Sequence, residues 1–209
     1  MKEKEKRIEE IKKFRKNYND THATNYDKEW WCSEDALNEY NGFKKLVHVQ
    51  PNQVVLDIAT GTGTFLIEMA KSGGLCYGID QSPKMLEQLK EKINRNNFKI
   101  NIKDIRVCVA DQLPYPDQFF DWVTCIGMFE YYPLEYLKQA FDEIIRVLKP
   151  NGKCLVDIPN PYDIKTQNIE WIFKYHLDDF EKLIKLYGLK VLAKNSAGYM
   201  FQYLLSRIQ

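Results

Sequence analysis

The side chains best placed for chemistry are acids that close apolar runs. Asp57 follows Val54-Val55-Leu56, and Asp80 follows Leu75-Cys76-Tyr77-Gly78-Ile79. Asp111 follows Ala110 at the end of a third run, Ile105 to Ala110. Between the first two acids lie Ala59-Thr60-Gly61-Thr62-Gly63, small residues through which a chain turns sharply and lets backbone approach a ligand. Asp80 stands nineteen positions beyond Gly61. An acid at that distance, on the tip of a second strand, can accept both hydroxyl protons of a ribose. Together the two strand ends describe a pocket for a nucleoside.

The elements that must hold these groups follow from hydrophobic spacing. Val54 to Leu56 lacks polar alternation, as a strand buried on both faces does, and Phe65, Leu66, Met69 and Ala70 then repeat at helical spacing. The free N–H groups of that helix start face whatever lies beyond the strand. Ser82-Pro83 reads as a capped helix start, with Met85, Leu86, Leu89 and Ile93 behind it. Phe120 to Ile126 is a fourth strand with Gly127 to Tyr132 as its outgoing loop. Leu137 to Leu148 is an amphipathic helix, Lys149 to Gly152 a turn, and Lys153 to Ile158 a fifth strand. Asn94 to Lys103 is a polar connection, Asp179 to Tyr187 a last helix, and Leu189 to Ala193 and Met200 to Ile208 two final strands. Alternating strands and helices predict an α/β, doubly wound, mostly parallel seven-stranded sheet with helices on both faces. Ligands of such sheets lie at the carboxyl ends of the strands, beside strand one.

A dinucleotide fingerprint needs a third glycine where Leu66 stands. Without it, Leu56-Asp57-x-x-x-Gly61-x-Gly63 resembles the signature of the class I S-adenosylmethionine-dependent methyltransferases, and among them the small-molecule, quinone-biosynthesis members. The likeness runs from about Tyr18 to the C-terminus. It implies a Rossmann-like methyltransferase fold, S-adenosylmethionine as cofactor, and an N-terminal segment that folds over the site. That family often has glycine where Ala59 stands, and the alanine is expected to cost only a methyl group. It also implies that Asp111, beside Ala110 and Gln112, accepts from the adenine amino group, and that the sulfonium lies near Ile126. Gln81 is placed to reach the adenosine edge and Met85 to pack on the adenine. Asp57, Ala59, Gly61, Gly63 and Asp80 complete the expected cofactor wall.

The N-terminal stretch divides in two. Met1 to Lys16 carries eight basic and four acidic residues, with Ile8, Ile11 and Phe14 at helical spacing. Tyr18, His22, Tyr26, Trp30 and Trp31 then crowd aromatic groups into a polar segment. A sulfonium is attracted to aromatic faces, and a lid must exclude water from a reacting methyl, so Tyr18 and Tyr26 are candidate lid residues. Trp30 and Trp31 are expected to pack. The expected organisation is a helical lid over residues 1–35 and one globular methyltransferase domain over 36–209.

Bulk composition narrows the function. A chain of 209 residues with net charge +1 has no overall field to hold a polyanion, so nucleic acid is disfavoured, and no apolar run could span a bilayer. The N-terminus lacks an apolar signal core, and five scattered cysteines fit neither a disulfide framework nor a zinc site, so a cytoplasmic protein without bound metal is expected. Methyl transfer from a sulfonium releases a neutral leaving group and needs a base only if the acceptor must lose a proton. His22, Glu130, Tyr131 and His176 are the candidates to touch a small-molecule acceptor. O-, N- and C-methylation stay open. Two alternatives stand beside this reading: an RNA methyltransferase using the basic N-terminal helix, and a non-catalytic cofactor-binding domain. Asn160-Pro161-Tyr162 follows the wrong strand to be an amide-recognition motif, and Cys125 lacks the context of a nucleophile.

Overall fold

Alternate residues of the central strands are apolar on both sides, so the chain must cover two faces of one sheet, and it does. The computed structural model describes residues 2–96 and 101–207. Met1, residues 97–100 of the expected polar connection and Ile208 lie outside the described residues.

The seven strands are β1 (Val54–Ile58), β2 (Leu75–Asp80), β3 (Ile102–Val107), β4 (Phe120–Cys125), β5 (Leu148–Pro159), β6 (Leu189–Ala197) and β7 (Met200–Arg207). They lie in the order β3-β2-β1-β4-β5-β7-β6. The first five are parallel, and β7 runs antiparallel between β5 and β6. Val55, Trp122 and Leu155 point into one core layer, under α3 (Glu34–Leu46), α4 (Thr64–Lys71) and α5 (Pro83–Asn96). Leu56, Val123 and Val156 point into the other, under α6 (Leu134–Val147) and α8 (Leu177–Leu186). The two-residue period of a strand thus sorts one sequence into two cores.

The helices start where local chemistry allows. Ser33 caps α3, its hydroxyl accepting from the Ala36 N–H at 3.1 Å, and Ser82 Oγ accepts from the Met85 N–H at 3.1 Å beside Pro83. α1 (Lys2–His22) runs six residues past the expected Lys16, and α2 (Tyr26–Glu29) and α7 (Ile164–Asn168) are short helices the spacing did not reveal. β5 begins at Leu148 rather than Lys153, because Lys149 to Gly152 bulges within the strand instead of leaving it. β3 ends at Val107, three residues before the expected Ala110. Among the described residues no helix is long and apolar enough to cross a membrane.

Candidate active site

The turn after β1 is built from left-handed backbone. Ala59, Gly61 and Gly63 have φ of 55°, 54° and 86°. Glycine adopts this freely, but at Ala59 the Cβ adds about 1–2 kcal/mol of backbone strain, beyond the methyl group expected from sequence. A Cβ added at Gly61 would meet only the Ala59 carbonyl at 4.0 Å, so bare backbone faces open space. At Gly63 it would fall 2.1 Å from Leu89 Cδ1. Gly63 therefore lets the turn pack on α5; it does not border the cavity described below.

Asp57 lies beneath this turn rather than in front of it. Its Oδ2 accepts from Thr60 Oγ1 at 2.7 Å and its Oδ1 from Thr124 Oγ1 at 2.6 Å. Burial pushes its carboxyl up to about 6, and the two hydroxyls hold it from rising further. Asp57 ties β1, its turn and β4 together. Asp80, at the tip of β2, is 4% exposed. Its Oδ2 accepts from the Gly61 N–H at 2.9 Å and its Oδ1 from the Ser82 N–H at 2.8 Å. Burial lifts it to about 6 against those two bonds.

A cavity of about 790 Å³ opens at these strand ends. Ala59, Gly61, Asp80, Gln81, Met85, Ala110 and Ile126 border it on the sheet side, and Tyr18 and Tyr26 on the N-terminal side. Glu130 and Tyr131, on the turn after β4, also line it. The other expected residues stand elsewhere. Asp111 has both carboxylate oxygens occupied, Oδ2 by Lys12 Nζ at 2.7 Å and Oδ1 by the Tyr136 hydroxyl at 3.2 Å. The early end of β3 puts Cys108, Val109 and Ala110 on the cavity wall and carries Asp111 and the exposed Gln112 past it. His22 stacks on Tyr18, ring centroids 4.1 Å apart, with Nδ1 2.8 Å from the Tyr18 carbonyl. His176 is an exposed residue at the N-terminus of α8. Trp30 and Trp31, expected only to pack, both border the cavity, and Trp31 also packs edge-on against Tyr40 and Phe65.

The N-terminal segment is tied to each strand tip in turn. Asp27 Oδ1 accepts from Thr62 Oγ1 at 2.6 Å, Asp20 Oδ1 accepts from Ser82 Oγ at 2.6 Å, and Lys12 holds Asp111. Arg7, Ile11 and Arg15, spaced four apart on α1, present one helix face to the cavity. The Arg15 guanidinium sits 3.4 Å from the Tyr131 ring centroid, and Tyr131 stacks on Trp171 at 5.7 Å and 11°. With Phe173 they form an aromatic wall that sequence reasoning missed, because Trp171 and Phe173 lie in an aperiodic connection between α7 and α8.

Two acids line the cavity beyond Asp80, with a third behind them. Glu39 is 3% exposed and borders the cavity, on the buried face of α3 with Ala36, Phe43 and Leu46. An acid on an apolar stripe was a readable signal. Glu130 is buried with Oε2 unpartnered, and Asp157 on β5 is buried with Oδ1 accepting from the Gly127 N–H at 3.0 Å and Oδ2 unpartnered. Burial first, then the charges of Asp157 and Glu130, pushes Glu39 up; burial and then the charge of Glu130 push Asp157 up, and burial does the same to Glu130.

Residues 56–156 match the family model for the methyltransferase domain. With the sheet order and the glycine turn at strand one, this match makes the chain similar to the class I S-adenosylmethionine-dependent methyltransferases. Among curated proteins it is similar to the demethylmenaquinone methyltransferase of Lactobacillus johnsonii, 40% identical over 56% of this chain and 50% of that one. It is also similar to the ubiquinone/menaquinone biosynthesis C-methyltransferase UbiE of Bordetella avium, 36% identical over 52% of this chain and 42% of that one. The chain spans about half the length of the curated relatives it matches. Its fold is that of the magnesium protoporphyrin IX methyltransferase ChlM from Synechocystis, solved with S-adenosylhomocysteine: TM-score 0.77 at 15% identity, over 94% of this chain and 99% of that one.

Proposed function

We propose that this chain moves a methyl group from S-adenosylmethionine to a small, largely apolar acceptor by in-line displacement. One observation carries the reading: a single cavity joins the bare turn and Asp80 to the aromatic wall of Tyr131, Trp171 and Phe173. Its walls fit an adenosyl sulfonium. Each Asp80 oxygen accepts one backbone N–H and keeps lone pairs for ribose hydroxyls. Gly61 and Gly127 are positions where a Cβ would meet almost nothing, so main chain can lie against a ligand there. Met85 and the Cys108 to Ala110 backbone flank the place for a base. When bound, the cofactor supplies an electrophilic methyl on a positively charged sulfur. The protein's part is to hold the acceptor in line and dry. In this reading residues 1–35 act as the lid, and Tyr18 and Tyr26 close the cofactor side.

The lid's charges favour a small molecule over RNA. Lys4 and Lys12 pair with Glu135 and Asp111 outside α1, and Lys6 and Lys16 with Glu10 and Asp20 within it, so four of its cations are matched within the protein. The names of the curated relatives put quinone-ring acceptors first on the test panel. The purified chain is incubated with methyl-labelled S-adenosylmethionine and reduced naphthoquinones, benzoquinols and an apolar metabolite extract. Label in the organic phase, with a product heavier by one methylene, is the expected result. S-adenosylhomocysteine binding with no transfer to any of these would overturn the enzyme reading in favour of a cofactor-binding domain.

A further inference from the structure

We propose that Glu39 takes up the proton that methyl transfer releases, so that a proton on Glu39 and the positive charge of the cofactor replace one another. This rests on the methyltransferase reading above. When a sulfonium methylates a neutral acceptor, the S–C bond breaks with both electrons left on sulfur. The acceptor's electron pair forms the new bond to the methyl carbon. The positive charge passes to the acceptor, which loses one proton from oxygen, nitrogen or ring carbon to become neutral. The balance is the same for all three, so a base is required whichever atom is methylated.

Among the described residues the acids that border the cavity are Asp80, Glu130 and Glu39, and neither His22 nor His176 does. Asp80 already receives the N–H groups of Gly61 and Ser82. Glu130 Oε2 is sealed off without a partner. Glu39 differs: its carboxylate takes no hydrogen bond from any described residue, yet the residue lines the cavity at 3% exposure. Its backbone is fixed, because its carbonyl accepts from Gln202 Nε2 at 2.9 Å. A carboxylate on a residue this buried, with no donor beside it, costs stability unless a ligand or a proton meets it.

The surroundings set its proton affinity. Asp157 from β5 and Glu130 from the turn after β4 stand behind it, and each has an oxygen without a partner. From its own helix comes Asp35, itself paired with Lys165 at 2.8 Å. Tyr26 faces it from α2 and Tyr199 from the turn between β6 and β7, both phenols made harder to ionise by burial. Arg15 from α1 acts on Glu130. No described lysine or arginine forms an ion pair with Glu39, Glu130 or Asp157. Carboxylates gathered in low dielectric cannot all stay ionised, so the group holds a proton until a cation enters. A sulfonium favours the ionised base. Its conversion to sulfide restores the affinity for a proton at the moment one is released.

The complex with S-adenosylhomocysteine should therefore carry one proton more than the complex with S-adenosylmethionine. Titration calorimetry of the full chain, near neutral pH and in two buffers of different ionisation enthalpy, counts protons for each ligand. In wild type, S-adenosylmethionine should release up to one proton more than S-adenosylhomocysteine does. Glu39→Gln should bring that difference to zero while keeping S-adenosylhomocysteine affinity. Asp157→Asn, which removes a negative neighbour, should move the greatest difference to lower pH, and serves if Glu39→Gln fails to fold. Equal proton release by the two ligands in wild type overturns the proposal, as does a difference that survives Glu39→Gln. Failure of wild type to bind either ligand is a separate result, and takes down the methyltransferase reading itself.

Discussion

Replacing Asp80 by asparagine tests the cofactor wall with a change of almost no volume. Asp80 is buried, and its two oxygens receive the N–H groups of Gly61 and Ser82 at 2.9 and 2.8 Å. Asparagine keeps one oxygen and turns the other into an NH₂ donor. Whichever way the amide faces, one buried backbone N–H loses its acceptor and meets another donor. That costs about 1–3 kcal/mol of stability. In the ligand complex, one ribose hydroxyl also loses a charged acceptor, worth about 1.5–3 kcal/mol, or roughly 10- to 150-fold in affinity. Urea denaturation of the apoprotein and calorimetry with S-adenosylhomocysteine read the two quantities separately. pH adds a cross-check, since Asp80 is pushed up to about 6. Wild-type affinity should fall as pH drops through that value, because a protonated carboxyl accepts less well, and the asparagine variant should lack this dependence. A variant that loses stability but binds S-adenosylhomocysteine within about twofold of wild type, well under the cost of one such bond, would falsify the ribose role and leave Asp80 a turn-holder.

Three further outcomes follow from the same geometry. Lys12→Met leaves Asp111 with the Tyr136 hydroxyl alone and should cost about 1.5–3 kcal/mol by urea midpoint; a double-mutant cycle with Asp111→Asn showing coupling under ~0.5 kcal/mol would mean the pair is worth no more than an exposed one. Ala59→Gly relieves a side chain at φ 55° and should raise stability by about 1 kcal/mol, so an unchanged melting temperature would count against strain at this turn. Asp57 and Asp80 sit near 6 when folded against the ordinary carboxyl value of 3.8, so the stability each contributes is complete below the unfolded value and is lost as pH rises through the folded one. The loss is at most about 3 kcal/mol for each, so apoprotein urea midpoints should fall between about pH 4.5 and pH 6.5, and a midpoint rising across that window would contradict the burial of these acids.

The legible parts of the sequence were those where local and tertiary signals agree. β1, its turn and β2 are apolar runs stopped by small residues, and they put Gly61 and Asp80 where the spacing placed them. β3 was misread by three residues at each end for a physical reason. It is an edge strand with much of its surface open, so Lys103, Arg106 and Val107 carry no clean alternation to mark where pairing stops. That slip moved Asp111 from the cavity to the Lys12 ion pair. Gly63 was legible as a necessary glycine but not as to its reason, because Leu89 on another helix is what demands it. Glu39 and Asp157 are acids inside apolar patterns, and what each faces is set by tertiary packing that no local spacing encodes. Trp171 and Phe173 offered nothing periodic to read; only tertiary packing brings them to Tyr131.

Charge completes the connection between cavity and cofactor. The ionisable acids and bases that line it are Glu39, Asp80 and Glu130 against Arg7 and Arg15. Fully ionised, these leave one unmatched negative charge among acids that are all buried, where an uncompensated charge is expensive. S-adenosylmethionine brings a sulfonium, an ammonium and a carboxylate, a net single positive charge. The matched state is therefore the loaded one, whereas the empty cavity reaches neutrality only by taking a proton. Once the methyl has gone, the sulfide no longer offsets the acids, and a protonated Glu39 restores neutrality around a product that the cavity holds without electrostatic preference. The same carboxylates that make the empty protein titrate would then favour substrate over product. Loss of that preference in Glu39→Gln is the equilibrium counterpart of its missing proton.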